Sequence, residues 1–256
     1  MYRSAYEVED AMRMAENPVQ RANLIRFFKT GKGEYVEGDE FLGIKNPEVH
    51  EFVREAATLP LPEVKILLES RWHEVRQCGF LILVRQFEKA ARRNTADSIP
   101  QRDAIVDFYL AHARRANNWD LVDLSCYKIL GRWLLMPSRY SQAEKSDVFN
   151  RLASSNDLWE RRMSIVSTLG TLMAGDASYT LHYAAYHIDA FMSDPKLSHD
   201  LMHKAVGWML REMGKRCGMD LLRDFLAKYH GVMPRTTLRY AIERMDEEER
   251  TRWMKQ

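Results

Sequence analysis

Cysteine is scarce in this chain. There are three among 256 residues, Cys78, Cys126 and Cys217, an odd number set far apart in apolar helical surroundings. That argues against a disulfide framework and for a reducing, cytoplasmic setting. Glycine and proline are also few, 12 and 8. No segment alternates apolar and polar residues as a half-buried strand does, so the sheet classes drop out. Long hydrophobic runs are missing: the longest strongly apolar stretch, Phe80 to Val84, is far short of a bilayer span, and no membrane partner is expected. The start, Met1-Tyr2-Arg3-Ser4-Ala5-Tyr6-Glu7, has no apolar core, so no signal peptide is expected. A surplus of one charge is missing as well. The 38 basic and 36 acidic residues leave +2 and no polybasic tail. Affinity for nucleic acid would therefore have to come from charges sorted onto one face.

What is present is helix-forming. Hydrophobic residues make up 46% of the chain, enough for a sizeable core. Residues 8–30 read as a helix, with Met12, Met14, Ala15, Leu24, Ile25, Phe27 and Phe28 on its apolar positions. A glycine-rich loop follows, and Pro47 opens another helix to about residue 57. From Pro62 onward, polar breaks alternate with amphipathic helices. Those opening at Trp72, Trp119, Trp159, Met202 and Arg235 align on their apolar rows, and Arg76, Asp123, Arg162, Lys204 and Arg239 then share one column. The steps between these positions, about 47, 39, 42 and 35 residues, lie near the period of helical-pair arrays. The pattern predicts one all-α domain over 1–256, an α-solenoid of HEAT-like helical repeats with a basic concave face. Its N-terminal helices and Gly-rich loop occupy 1–60, and stacked helical pairs fill about 61–250.

The densest signal is Asn117-Asn118-Trp119-Asp120-Leu121-Val122-Asp123-Leu124. On a helix Trp119 and Asp123 are four apart and share a face, while Asp120 points elsewhere and suits the positive end of the helix dipole. Four of the five column residues are basic, which suits a phosphate backbone, and Asp123 is the one acid. A lone carboxylate there either does chemistry or pairs with a neighbouring Arg. Trp208, in Val206-Gly207-Trp208-Met209-Leu210, reads as core from its apolar neighbours alone. Gly207 would let DNA or another helix approach closely, and Arg161 exchanges roles with Arg162 if the alignment slips by one.

Other signals are weaker. His73-Glu74 lacks the second histidine of a zinc-protease helix, since Gln77 stands there. His199 and His203 have no third ligand, so no metal is expected. Arg92-Arg93 reads as solvated surface or a second phosphate contact, and Glu247 to Glu249 as a helix terminus in solvent.

Taken together, these segments resemble the AlkD-like family of DNA alkylation repair glycosylases, built from HEAT-like repeats. The resemblance covers residues 20 to 245. It is carried by Phe27-Phe28-Lys29-Thr30-Gly31-Lys32-Gly33-Glu34-Tyr35 with Gly38-Asp39 and Phe41-Leu42-Gly43; by Trp119-Asp120-Leu121-Val122-Asp123; by Trp159-Glu160-Arg161-Arg162; and by Lys204-Ala205-Val206-Gly207-Trp208-Met209-Leu210-Arg211-Glu212. It implies a monofunctional, monomeric glycosylase without organic cofactor, acting on duplex DNA that carries N3- and N7-alkylated purines. The family's aspartate, two tryptophans and arginine match Asp123, Trp119, Trp208 and Arg162. Lys29, Lys32, Arg211, Lys204, Arg239 and Arg76 are then expected against phosphates. The resemblance further implies no deep base pocket. One departure stands out: where the family often has an Arg soon after the loop's Pro, this chain has Glu48-Val49-His50.

Such chemistry needs no general acid, because the alkylated purine is already cationic. It needs negative charge beside an oxocarbenium-like sugar and an oriented water, both of which Asp123 would supply. Two competitors remain at this stage: a non-catalytic HEAT-like protein that binds unusual DNA structures, and a protein-binding scaffold.

Overall fold

A computed structural model describes residues 1–93 and 95–255, with Arg93 described by its backbone alone. The side chain of Arg93, half of the basic pair noted above, therefore lies outside the described residues. The described chain is all-helical. Its one extended contact is an isolated bridge between Glu40 and Trp72. It divides into two compact units, Met1–Ser125 and Cys126–Gln256, a subdivision that the repeat pattern of the sequence did not draw.

The first unit holds α1 (Ala5–Met14), α2 (Pro18–Phe28), α3 (Asn46–Ala56), α4 (Leu61–Glu69), α5 (His73–Arg93), α6 (Ile99–Ala111) and, at its end, α7 (Trp119–Cys126). The single helix expected over 8–30 is two. Asn17 accepts from Gln20 N as the N-cap of α2, and Pro18 sits at the first position, where its missing N–H costs nothing. The apolar positions run through this break, which is why periodicity alone passed over it. The 21-residue α5 is the unit's centre. Its Val75, Cys78, Phe80, Ile82, Leu83 and Phe87 are fully buried, and α1, α3, α4 and α6 pack against it. An apolar surface on every side is what a central helix needs. Gly43 closes the loop over 29–45 onto α2: at φ 87° its hypothetical Cβ would lie 2.2 Å from Asn17 O, so only glycine fits.

The second unit starts with a π-helical turn, Tyr127–Gly131. It continues with α8 (Arg132–Leu135), α9 (Gln142–Ala153), α10 (Leu158–Val166), α11 (Thr168–Leu172), α12 (Ser178–Ser193), α13 (Asp200–Arg216), α14 (Met219–Tyr229), α15 (Arg235–Ala241) and α16 (Glu247–Lys255). Here α13 is central, touched by α10, α11, α12, α14 and α15. Gly207 answers the question of what approaches it. A Cβ there would lie 2.5 Å from Thr237 O and from Tyr240 Cβ, so a helix, α15, presses on it. The acidic start of α16 is not all in solvent either. Glu249 is buried and ion-paired to Arg223 at 2.8 Å, which pins α16 to α14. No helix among the described residues is long and apolar enough to cross a membrane.

Candidate active site

The segment Asn118 to Ser125 folds as its pattern demands. Leu121 and Val122 are fully buried, and Ser125 Oγ donates to Leu121 O at 2.6 Å and meets Tyr109 OH at 2.9 Å. This anchors one side of α7. Asn118, itself buried, accepts from Trp119 N at 2.8 Å and starts the helix. Trp119 and Asp123, one turn apart, are both partly exposed.

Asp120 has a different fate, and here the structure reveals what sequence reasoning missed. Its Oδ2 meets His73 Nε2 at 2.8 Å, and the other ring nitrogen, Nδ1, meets Asp39 Oδ2 at 3.0 Å. A neutral imidazole has one donor, yet both nitrogens face carboxylate oxygens, so His73 is held as the cation. Burial by itself would lower its pKa, but the charge of Asp120 and the hydrogen bonds to Asp120 and Asp39 outweigh burial and raise it to about 9. Burial would likewise raise the pKa of Asp39. The bond from His73 and the charge of Arg76 prevail, and it is lowered.

Arg76 completes this chain of charges. It was expected against a phosphate, but it is turned inward and buried. Its Nη2 donates to Asp39 Oδ1 at 2.5 Å, and its Nη1 donates to Ser70 O and Arg71 O at 3.0 and 2.9 Å. With these donors committed inside the fold, Arg76 braces the protein rather than the DNA. Beside it, Glu74 accepts from the N–H groups of Leu42, Gly43 and Ile44, fixing the end of the glycine-rich loop. Aromatic rings cover the network. His73 stacks on Phe41 at 4.5 Å, Phe28 stacks on Phe41 at 5.1 Å, and Trp119 leans on Phe28 at 5.3 Å and meets the edge of Phe27 at 5.9 Å. Lys29, in the left-handed region at φ 55°, and Lys32 are exposed at the loop's start.

In the second unit, Asp157 caps α10 through the N–H groups of Trp159 and Glu160. Arg161 and Arg162 follow, both buried. Arg161 donates to Ser155 O at 2.7 Å, and Arg162 donates to Leu201 O at 2.5 Å. Burial lowers the pKa of Arg161. On α13, Lys204 pairs with Asp200 at 2.7 Å, and Trp208 is partly exposed rather than core. Arg211 pairs with Glu243, and Arg239 on α15 is exposed. His199 Nδ1 accepts from Leu201 N as the cap of α13, and His203 Nε2 meets Ser198 Oγ at 2.9 Å, which gives each histidine a local structural role. No cluster of three or more metal-ligating side chains occurs among the described residues.

Comparison with known proteins identifies a family and a shared fold. The model of one family, DNA alkylation repair enzyme, matches residues 8–245. No curated protein matches the chain. A solved structure, a predicted DNA alkylation repair enzyme from Enterococcus faecalis, aligns over 91% of this chain and 97% of its own with a TM-score of 0.64. At 17% identity that likeness speaks to the fold alone. The family match runs through nearly every helix described above, and on it the chain belongs to the DNA alkylation repair enzyme family.

Proposed function

We propose that this protein hydrolyses the N-glycosidic bond of cationic N3- and N7-alkylated purines in duplex DNA. The reading rests on the pairing of Asp123 with Trp119: the two are one turn apart on one helix face, and both are partly exposed.

The chemistry follows from charge. An alkylated purine leaves readily, because departure with the bonding electron pair discharges its positive ring. The deoxyribose left behind is oxocarbenium-like. The Asp123 carboxylate stabilises that cation and orients a water, whose oxygen bonds to C1′ while its proton passes to solvent. The π face of Trp119 adds cation–π attraction, on the order of 0.5–2 kcal/mol, towards the charged purine or sugar. Trp208 offers a second such face. Lys29, Lys32, Lys204, Arg211 and Arg239 contribute sequence-independent phosphate attraction, whereas Arg162, buried and bonded to Leu201 O, braces α10 as Arg76 braces α5. The protein acts as a monomer in the compartment that holds DNA.

Duplex DNA bearing N7-methylguanine, followed by alkali cleavage of abasic sites, tests the reading. Wild type should nick the lesion strand. Asp123→Asn should bind the same duplex and lose at least about 10²–10³-fold in excision rate, the scale of removing one preorganised electrostatic group. Excision by Asp123→Asn at the wild-type rate would sink the mechanism. DNA binding without any excision by the wild type would favour a non-catalytic DNA-binding role, and absence of DNA binding a protein scaffold.

A further inference from the structure

Within the first unit lies a cavity of about 380 Å³, at the small end of the range for small-molecule sites. Its walls are Phe27, Phe28, Phe41 and Trp119, closed by Leu24 and Ile44. Polar groups also line it: His73, Glu74, Asp120 and Lys45, with the amides of Gln20, Asn46 and Gln77. Its two carboxylates are engaged. Glu74 accepts three backbone N–H groups, and Asp120 accepts from His73 and Leu121 N. The amides, two of which meet as Gln77 Nε2 donating to Asn46 Oδ1 at 2.7 Å, are the side chains suited to reading the edge of a ring. The aromatic rim also reaches out to solvent. Phe27 is 62% exposed although a cavity lined by its own kind lies beside it.

We propose that this cavity binds a free purine base, the product of the excision set out above, by packing against the rings of its rim that reach solvent, Trp119 and Phe27, and by hydrogen bonds from the amides. Trp119 joins the two sites, because the same indole shares a helix face with Asp123 and walls the cavity. Planar faces suit a heteroaromatic ring, every nucleobase has a face to stack, and a cation is tolerated over the π systems. The consequence is inhibition by product: the departed base lingers against Trp119 and slows the next encounter with a lesion. The resemblance noted in the sequence foresees no such pocket.

This inference rests on the glycosylase reading, and two separate measurements keep their failures apart. The first is calorimetric titration of the wild type with free N7-methylguanine base, with no DNA present. Saturable one-to-one binding is expected. Leu24→Trp, which fills the cavity, should weaken it at least tenfold, and Gln20→Ala, at the rim, should weaken it several-fold while keeping the wild-type melting temperature. The second is excision of N7-methylguanine from duplex DNA with and without added free base. Addition should slow the wild type and leave Leu24→Trp unslowed. No saturable binding to the wild type, or binding unchanged in both variants, overturns the pocket. Excision that added base does not slow overturns product inhibition. Absence of excision with intact base binding overturns the glycosylase reading and not the pocket.

Discussion

At the start of α7, charged side chains from three parts of the first unit meet in a buried chain: Arg76, Asp39, His73 and Asp120. The links of His73 to Asp39 and Asp120 reach across 34 and 47 residues. At the starts of α10 and α13, in the second unit, the polar side chains instead bond backbone carbonyls or a partner one turn away. Arg161 reaches Ser155 O, and Lys204 reaches Asp200. Close backbone packing, as at Gly207, holds α13 against α15. The first arrangement fixes α7 by charge and is sensitive to protonation. The second fixes helices by volume and is sensitive to size. A carboxylate proposed to face a developing cation gains from the first kind, because its neighbours' charges are neutralised internally and its helix does not slide.

The comparison breaks most sharply at Arg76. Arg76→Ala leaves Asp39 buried beside His73 without its guanidinium and removes donors to two backbone carbonyls. Loss of one partner of a buried pair costs about 3–5 kcal/mol. Thermal or urea unfolding measures this, and DNA affinity per folded molecule should stay within about twofold. A variant as stable as wild type but weakened for DNA would return Arg76 to the phosphate-facing row.

Protonation is the next lever. The folded pKa of His73, about 9, lies above its unfolded value of 6.5, so the stability it contributes is fully present below pH 6.5 and is lost as pH rises through 9. The groups facing it are Asp39 and Asp120, with Arg76 behind Asp39. A shift of this size corresponds to about 3 kcal/mol. Urea midpoints from pH 6.5 to 9.5 should fall for wild type and stay nearly level for His73→Gln, which starts lower. Parallel curves for the two proteins would remove the imidazolium from the account.

Size is the lever in the second unit. Gly207→Ala sets a methyl against Thr237 O and Tyr240 Cβ, atoms that cannot swing aside. Overpacking of this kind costs about 1–3 kcal/mol, the same at pH 6.5 and pH 9.5. A pH-dependent loss would show that the two units do not differ as described.

Local pattern carried the helical class, the loop before Pro47 and the five helices that open after polar breaks, because burial on a helix repeats every three to four residues and leaves its trace in a short window. It also placed Trp119 and Asp123 on one face. It did not carry the His73 network. Asp39 sits in a glycine-rich loop and His73 in what looks like a failed zinc motif, and nothing within one window says that they meet. Arg76 was misplaced for the same reason: an arginine on the right helical row looks identical whether it faces solvent or a buried carboxylate. Trp208 erred the other way, since apolar neighbours made it resemble core whereas its indole is partly exposed.

The smallest effect sharpens the comparison on the DNA side. Lys29 and Lys32 are exposed in the first unit's loop, whereas Lys204 in the second is already paired with Asp200. Each phosphate neutralised adds about 0.9 to the slope of log affinity against log salt. Lys29→Ala with Lys32→Ala should therefore flatten that slope by about 2 if each lysine meets one phosphate, and weaken binding alike for every sequence. Lys204→Ala should flatten it by less than 1, because breaking the pair with Asp200 offsets part of what the phosphate contact returns. Binding isotherms from 50 to 200 mM salt, on the order of the range over which such contacts are read, decide it. Equal slopes for the loop double variant and the wild type would take the glycine-rich loop out of the DNA-binding surface.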